Sequence, residues 1–152
     1  MNLHPFLLFS HLSGVVLWVG GMFFAYVCLR PALVELFESP QRLRLWRGVF
    51  SRFFVWVWAA IIIVPISGLI MLGQAGFATA PLNWHLMLTT GLVMAGIFVY
   101  VATGPFVALQ RAVDAEDWKS GGAALNRIRQ WVGINLLLGL LTIGLATLGK
   151  WF

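Results

Sequence analysis

The stretch FFVWVWAAIIIVPISGLIMLGQAGFATAPLNWHLMLTTGLVMAGIFVYVATGPFVALQ, residues 53–110, contains no Asp, Glu, Lys or Arg. A transmembrane helix needs about 20 consecutive apolar residues, and these 58 residues are long enough for two helices and a turn. The turn is predicted at GQAGFATAPLN, residues 73–83, because glycines and a proline interrupt the apolar pattern there. The stretch therefore predicts two membrane-spanning helices and the turn that joins them.

Two further stretches, 1–29 and 130–149, also lack charged residues, and each is long enough for one span. The whole chain is 61% hydrophobic and 10% charged, whereas soluble domains carry about 25% charged residues. The sequence thus predicts an all-α integral membrane four-helix bundle that forms one domain over residues 1–152. The predicted spans are about 5–29, 53–72, 84–109 and 131–149.

The basic residues predict the orientation. Nine of the ten lie in the loops after the first and third spans, and only Lys150 lies elsewhere. Cytoplasmic loops carry an excess of Lys and Arg, so both termini of this multi-pass protein are expected outside. This topology accounts for the net charge of +5 without a nucleic-acid partner. Anionic membrane lipids are the expected partners of the basic loops.

The two basic loops differ in pattern. In residues 30–54, apolar residues recur at helical spacing from Leu43 through Trp46 to Phe53, and arginines lie between them. This pattern predicts a partly helical, amphipathic segment on the inner membrane surface. Residues 112–130 carry mixed charges and a Gly-Gly pair, and are predicted to be a connector.

Glycines occur in every span, among them Gly14, Gly68 and Gly91. Small residues let membrane helices approach closely, and the space beside these glycines could also admit a flat cofactor. The sequence leaves both interpretations open.

All three histidines are predicted at the outer end of the bundle. His11 and Met71 each lie 19 residues from the nearest arginine of the first loop, which corresponds to about 28 Å above the inner surface. His4 and His85 each lie 26 residues from a loop arginine, about two helical turns further out. An ionisable group inside a span is by default a functional candidate.

These residues supply metal-binding chemistry. Neutral imidazole is the commonest protein metal ligand, and thioether sulfur favours copper(I) or heme iron. The predicted metal ligands are His11, His85, Met71, His4 and Met87. For each of them, hydrogen bonding across helices or simple packing remains the alternative.

Other chemistries are not indicated. All five acidic residues lie in the inner loops, so no paired carboxylates are expected within the membrane. The single cysteine, Cys28, offers neither a disulfide nor a cysteine zinc site. No phosphate-binding loop or dinucleotide fingerprint is present.

Three segments resemble known families. HLSGVVLWVGGMFF, residues 11–24, resembles the first-helix motif of the CopD-type copper-resistance membrane proteins, and HemJ-type protoporphyrinogen oxidases have a similar helix. FSRFFVWVWAAIIIVPISGLIML, residues 50–72, resembles the CopD pattern of a Phe-Ser-Arg start and a Ser/Thr-Gly end. NWHLML, residues 83–88, resembles the start of the next helix in both groups. The resemblance covers roughly residues 7–110, and the fourth helix adds hydropathy alone.

The resemblance implies copper handling at the bacterial inner membrane, or b-type heme bound between helices, with His11 and His85 at the matching positions. HemJ-like proteins carry a Lys shortly after the third-helix His, where this chain has Met87. This departure argues against HemJ-like oxidase activity and leaves open whether the protein is an enzyme.

Three functions follow as hypotheses. The first is a heme b protein with His11 and either His85 or Met71 on the iron, Trp18 and Gly14 beside the ring, and a quinone or periplasmic redox partner. The second is a copper-binding or copper-transporting protein that uses the five predicted ligands, with Met22 further inward. The third is a structural or assembly subunit. A homo-oligomer is compatible with each of the three.

Overall fold

The computed structural model describes residues 3–149, so Lys150 lies outside the described residues. It contains four long helices, each long and apolar enough to cross a membrane: α1 (His4–Leu36), α2 (Ser39–Ala75), α3 (Leu82–Asp114) and α4 (Trp118–Leu148). No strand occurs between residues 3 and 149. The predicted all-α fold with four membrane-spanning helices is confirmed.

The first helix is not regular along its length. It is α-helical over His4–Val15, forms π-helical turns at Val16–Gly20 and Phe24–Leu29, and is α-helical again over Arg30–Leu36. A π-turn closes its hydrogen bonds over five residues instead of four, so it holds more residues for each turn of the helix. Residue numbers and depth are therefore not related along α1 as they are in an ideal α-helix.

The second helix runs without a break from the amphipathic segment into the membrane. It begins at Ser39, 14 residues before the predicted span at 53, and includes Pro65 in its interior. On its inner half Trp46 and Phe50 stack with a ring separation of 4.8 Å, and Phe50 stacks on Phe54 at 5.3 Å. These buried aromatic residues fix one face of the segment against the bundle, which confirms that it is amphipathic and helical.

The third helix is interrupted just before Pro105. Its two parts are Leu82–Thr103 and Pro105–Asp114, with Gly104 between them at φ −108° and ψ −86°. Pro105 has no backbone N–H for the ladder, and the second part starts at this residue.

The fourth helix corrects the prediction for residues 112–130, because it begins at Trp118 and continues through the Gly-Gly pair. The Asp117 side chain caps this helix by accepting a bond from the Ser120 N–H at 3.0 Å. Hydrogen bonds from the Ser120 side chain and backbone lower the pKa of Asp117. A Cβ placed on Gly121 would lie 3.1 Å from the Leu43 side chain. The glycine therefore serves close packing against α2 and does not end the helix.

The four helices form a bundle in which α1 packs on α2, α2 on α3, α3 on α4, and α4 on the inner half of α1. Of the two diagonals, α2 and α4 are in contact, whereas α1 and α3 barely meet within the described residues. The bundle core is filled by large apolar side chains, including Trp18, Met22, Phe54, Phe98 and Leu109.

Candidate metal site at the outer end of α1 and α2

His11 of α1 is fixed by the second helix. Its Nδ1 lies 3.0 Å from the backbone oxygen of Val64 and 3.0 Å from the hydroxyl oxygen of Ser67. Ser67 is 3% exposed, so this polar contact is shielded by α1 and α2. The opening position of the first-helix motif thus makes a specific contact between two spans.

The hydrogen bonds determine which nitrogen of His11 carries the proton. The Ser67 hydroxyl lies 2.6 Å from the Ile63 carbonyl oxygen and 3.1 Å from the Val64 carbonyl oxygen. Its single hydrogen is directed to these carbonyls, so the hydroxyl accepts from His11. The Val64 carbonyl is also an acceptor. Both contacts require Nδ1 to carry the proton, which leaves a lone pair on Nε2. Metal-binding histidines are usually held in this way, with the second nitrogen bonded to a carbonyl or another acceptor.

Two glycines make this contact possible. A Cβ on Gly68 would lie 3.3 Å from Cε1 of His11, and a Cβ on Gly14 would lie 2.6 Å from Cγ2 of Val64. The space beside each of these two glycines is therefore filled by a side chain of the neighbouring helix. Gly91 has no atom within 4 Å of such a Cβ among the described residues. Close helix packing accounts for Gly14 and Gly68, and the contacts leave no gap for a flat cofactor at either position.

Met71 lies on the same side of α2 as the His11 contact. It follows Ser67 by four residues, which is one helical turn along the same face, and its side chain is half-buried. His11 contacts Val64 and Ser67, and thus lies about one turn deeper than Met71. The predicted equal depth is therefore corrected by about a turn, because the π-helical turns of α1 shorten the distance from Arg30 to His11.

His85 and Met87 lie on α3, which is diagonally opposite α1. Nδ1 of His85 lies 3.3 Å from the Pro81 oxygen of its own helix. Asn83, which is buried and donates to the Leu145 oxygen of α4 at 3.3 Å, marks the inner face of α3. Because residues four apart lie on the same face of a helix, Met87 shares the face of Asn83, whereas His85, which is also half-buried, lies on another face of α3. The structure does not bring His85 to the His11 contact.

The remaining predicted residues lie away from that contact. His4 is exposed on the first turn of α1. Trp18 is 3% exposed and lines a small internal cavity together with Met22 and Asn135, deeper in the bundle than His11. Trp18 is therefore a core residue at the middle of the bundle.

Asn135 of α4 is a buried polar residue that the sequence analysis did not single out. It is 2% exposed, and its Nδ2 donates to the Met94 oxygen at 3.3 Å. Its Oδ1 has no hydrogen-bond partner among the described residues. The signal that could have found it is an uncharged polar residue in the middle of an apolar span, since such residues usually bond across helices.

Residues 3–149 contain no group of three or more His, Cys, Asp or Glu that could hold a metal ion. A metal bound at His11 would therefore need donors of another kind beside the imidazole. Thioether sulfur is such a donor and selects copper(I).

Comparison with known proteins adds one match. A family model described as Copper resistance protein D matches residues 47–148 of the 152 residues. The match extends through α4, which the resemblance had covered only by hydropathy, and it does not include the segment that carries His11. No curated protein and no solved structure matches the chain significantly.

Proposed function

The chain belongs to the copper resistance protein D family, and from this premise we propose that it binds copper(I) between α1 and α2 at the outer end and passes it inward. The family and the four apolar helices make it a multi-pass protein of the bacterial inner membrane. The copper site, the oxidation state and the inward passage are the proposal.

The observation that carries the proposal is the orientation of His11. Its Nδ1 is held by Val64 and Ser67 at 3.0 Å each, so the free lone pair is on Nε2. A histidine fixed by a backbone carbonyl has the tautomer and ring orientation that a metal ligand requires. In a protein of a copper-resistance family, an imidazole that is already oriented by its hydrogen bonds is the expected first ligand.

Met71 is the proposed second donor, because it lies on the next outward turn of the same face of α2. An imidazole with a thioether is a ligand pair that suits copper(I) better than hard divalent cations. His4, His85 and Met87 stay predicted ligands with no contact to this pair. The single-domain organisation and a homo-oligomeric assembly also stay predictions.

The internal cavity supports the inward step. Met22 is 3% exposed in the core, and the same cavity is lined by Asn135, whose Oδ1 lacks a partner among the described residues. A second thioether therefore lies deeper in the bundle than His11. Its sulfur is the soft donor that copper(I) would meet next on a path toward the basic end.

Neither the packing around the glycines nor the family match supports the heme hypothesis. Val64 fills the notch at Gly14 and His11 fills the one at Gly68, and Trp18 is buried deeper in the bundle. The match to a copper-resistance family likewise names copper and not heme. Electron transfer to a quinone or a periplasmic partner stays a prediction that depends on heme, and a purely structural role is the outcome expected if no metal binds.

The test is copper(I) affinity of the purified protein, measured in detergent by competition with a chromogenic chelator. His11→Ala should lower the affinity at least tenfold, and Met71→Leu should lower it to a similar degree, because each removes a ligand. His85→Ala is the matched comparison: a site made by His11 and Met71 predicts unchanged affinity, since His85 lies on α3 without contact to this pair, whereas a loss would make His85 a ligand.

An unchanged affinity in His11→Ala would overturn the proposed site. A visible spectrum of the same samples separates the alternatives, because a heme protein shows a Soret band that would weaken in His11→Ala. A colourless protein with one His11-dependent copper ion supports the proposal, and a protein without copper or colour points to the structural role.

A further inference from the structure

A second cavity lies at the opposite, basic end of the bundle. It is open to the surface, has a volume of about 210 Å³, and lies between the inner end of α1, the first turns of α2 and the first half of α4. Three arginines line it, one from each helix: Arg30, Arg42 and Arg129. We refer to this cavity as the basic groove.

The arginines of the basic groove are not neutralised by carboxylates. Within the described residues, ion pairs are formed by Arg44 with Glu116 and by Arg47 with Asp114, and neither of these arginines lines the groove. Arg30 lies over the Tyr26 ring at 5.5 Å, and Arg42 reaches the Phe37 oxygen at 3.5 Å.

The two acidic residues closest in sequence to Arg30 and Arg42 do not neutralise the positive charge of the basic groove. Glu35 and Glu38 are both exposed, and neither comes within 4.0 Å of a described Arg or Lys nitrogen. The three groove arginines, in contrast, are all half-buried. Three half-buried arginines that line one groove form a site for a group with more than one negative charge or several acceptor oxygens.

The rest of the basic groove is apolar. Its walls include Leu43, Trp46 and Phe50 of α2 and Leu125 and Val132 of α4. Gly122 also lines it, and a Cβ on this glycine would meet no atom within 4 Å among the described residues. A free phosphate would leave these apolar walls in contact with water, whereas an acyl chain would cover them.

We propose that the basic groove binds an anionic glycerophospholipid of the inner leaflet, with its phosphate on Arg30, Arg42 and Arg129 and an acyl chain against the apolar walls. The arginines lie at the end of the bundle that the positive-inside rule assigns to the cytoplasmic headgroup layer. Basic pockets between transmembrane helices on this side suit acidic headgroups. The site is separate from the proposed copper site and does not depend on it.

The test is native mass spectrometry of the full-length protein in mild detergent, with phosphatidylglycerol or phosphatidylcholine of the same acyl chains added. The protein should retain one phosphatidylglycerol and little phosphatidylcholine. The triple variant Arg30→Gln, Arg42→Gln, Arg129→Gln should retain it at least tenfold less. The matched control is Arg52→Gln, Arg111→Gln, Arg127→Gln, which removes the same charge from outside the groove and should retain the lipid.

A second variant covers the case in which the triple variant does not fold. Gly122→Leu fills the groove without removing a charge, and should also reduce lipid retention. Equal loss in both triple variants would show general charge attraction and overturn the proposal, as would equal retention of the two lipids. Displacement of the lipid by equimolar inorganic phosphate would identify a free-anion site instead.

Discussion

At the scale of single residues, His11 is prepared for binding by atoms of the neighbouring helix. The Val64 carbonyl and the Ser67 hydroxyl both accept from Nδ1 and leave Nε2 free. Ser67 in turn is held by its own helix through Ile63. The contact therefore fixes both the orientation and the tautomer of the imidazole before any ion arrives, which reduces the entropy lost on binding.

This arrangement makes Ser67 a positioning residue with a measurable role. Ser67→Ala removes one acceptor from Nδ1 and should lower copper(I) affinity about tenfold, in the range seen for partners of metal-bound histidines. Ser67→Thr keeps the hydroxyl and should restore most of the affinity. The measurement is chelator competition with the melting temperature followed in parallel.

Thr90→Ala is the control for Ser67→Ala. Thr90 of α3 accepts a hydrogen bond from the Thr142 hydroxyl of α4 at 2.8 Å, so it also joins two helices, but away from His11. Thr90→Ala should leave copper affinity unchanged. If Ser67→Ala and Thr90→Ala lowered the affinity equally, the serine would act only through general stability.

At the scale of helices, the outer half of the bundle depends on the close approach of α1 to α2. Gly14 is buried, and any side chain there would collide with Val64, the residue whose carbonyl holds His11. The same short interval of α2 therefore accommodates the helix contact and orients the histidine. Disturbance of the packing should also disturb the site.

Gly14→Ala should lower stability, because a Cβ would lie 2.6 Å from Cγ2 of Val64 and overpacking typically costs about 1–3 kcal/mol. It should weaken copper binding as well. In a Val64→Ala background Gly14→Ala should lower the stability less, since the methyl group with which the new Cβ collides is absent. Thermal unfolding in detergent, read as a double-mutant cycle, measures the difference.

Gly96→Ala is the control, since a Cβ there meets no atom within 4 Å among the described residues. It should leave the melting temperature unchanged or slightly higher, because alanine favours the helix over glycine. Equal destabilisation by both substitutions would contradict the packing explanation for Gly14.

At the scale of the whole molecule, the two ends of the bundle differ in chemistry. One end has the prepared histidine and Met71, and the other has the arginines, the ion pairs and the basic groove. The predicted orientation places the first end outside and the second in the cytoplasm. Copper from the periplasm would then reach its ligands without passing the basic layer.

Cys28 allows a direct test of this orientation, because it is exposed, is the only cysteine of the chain and lies two residues before Arg30. A membrane-impermeant maleimide should label it in inverted membrane vesicles and not in intact spheroplasts. The opposite pattern would reverse the proposed direction of copper entry.

Thr79→Cys in a Cys28→Ser background supplies the second probe. Thr79 is exposed in the turn between α2 and α3, at the other end of the bundle. The maleimide should label the introduced thiol strongly in intact spheroplasts. Under the same conditions Cys28 of the wild-type protein should not be labelled.

The hydrophobic pattern was sufficient to predict the architecture, because three charge-free stretches, one of them long enough for two spans, leave few alternatives to a helical bundle. It was not sufficient to predict helix ends. Gly121 was expected to break the chain and instead packs against Leu43, a contact between segments that are 78 residues apart. Such close packing cannot be seen in the local sequence.

The candidate site was predicted in part. The importance of His11 could be argued from an imidazole in an apolar segment, and its partners on α2 could not, because they depend on the contact between two helices. His85 was grouped with it as another imidazole near the outer end and by the family resemblance, and Trp18 as a residue beside a heme ring. Neither argument specifies which helices are in contact, and α3, which carries His85, barely meets α1 within the described residues.

The π-helical turns of α1 have a consequence for homologous chains of different length. Each of these turns accommodates a surplus residue, and removing one amino acid from Val16–Gly20 would restore an ordinary ladder there. That shortening would rotate the preceding segment by about 100°, away from its carbonyl and hydroxyl partners. An aligned histidine in a relative without this turn would point in another direction, so the spacing of the first helix is as diagnostic of function as the histidine itself.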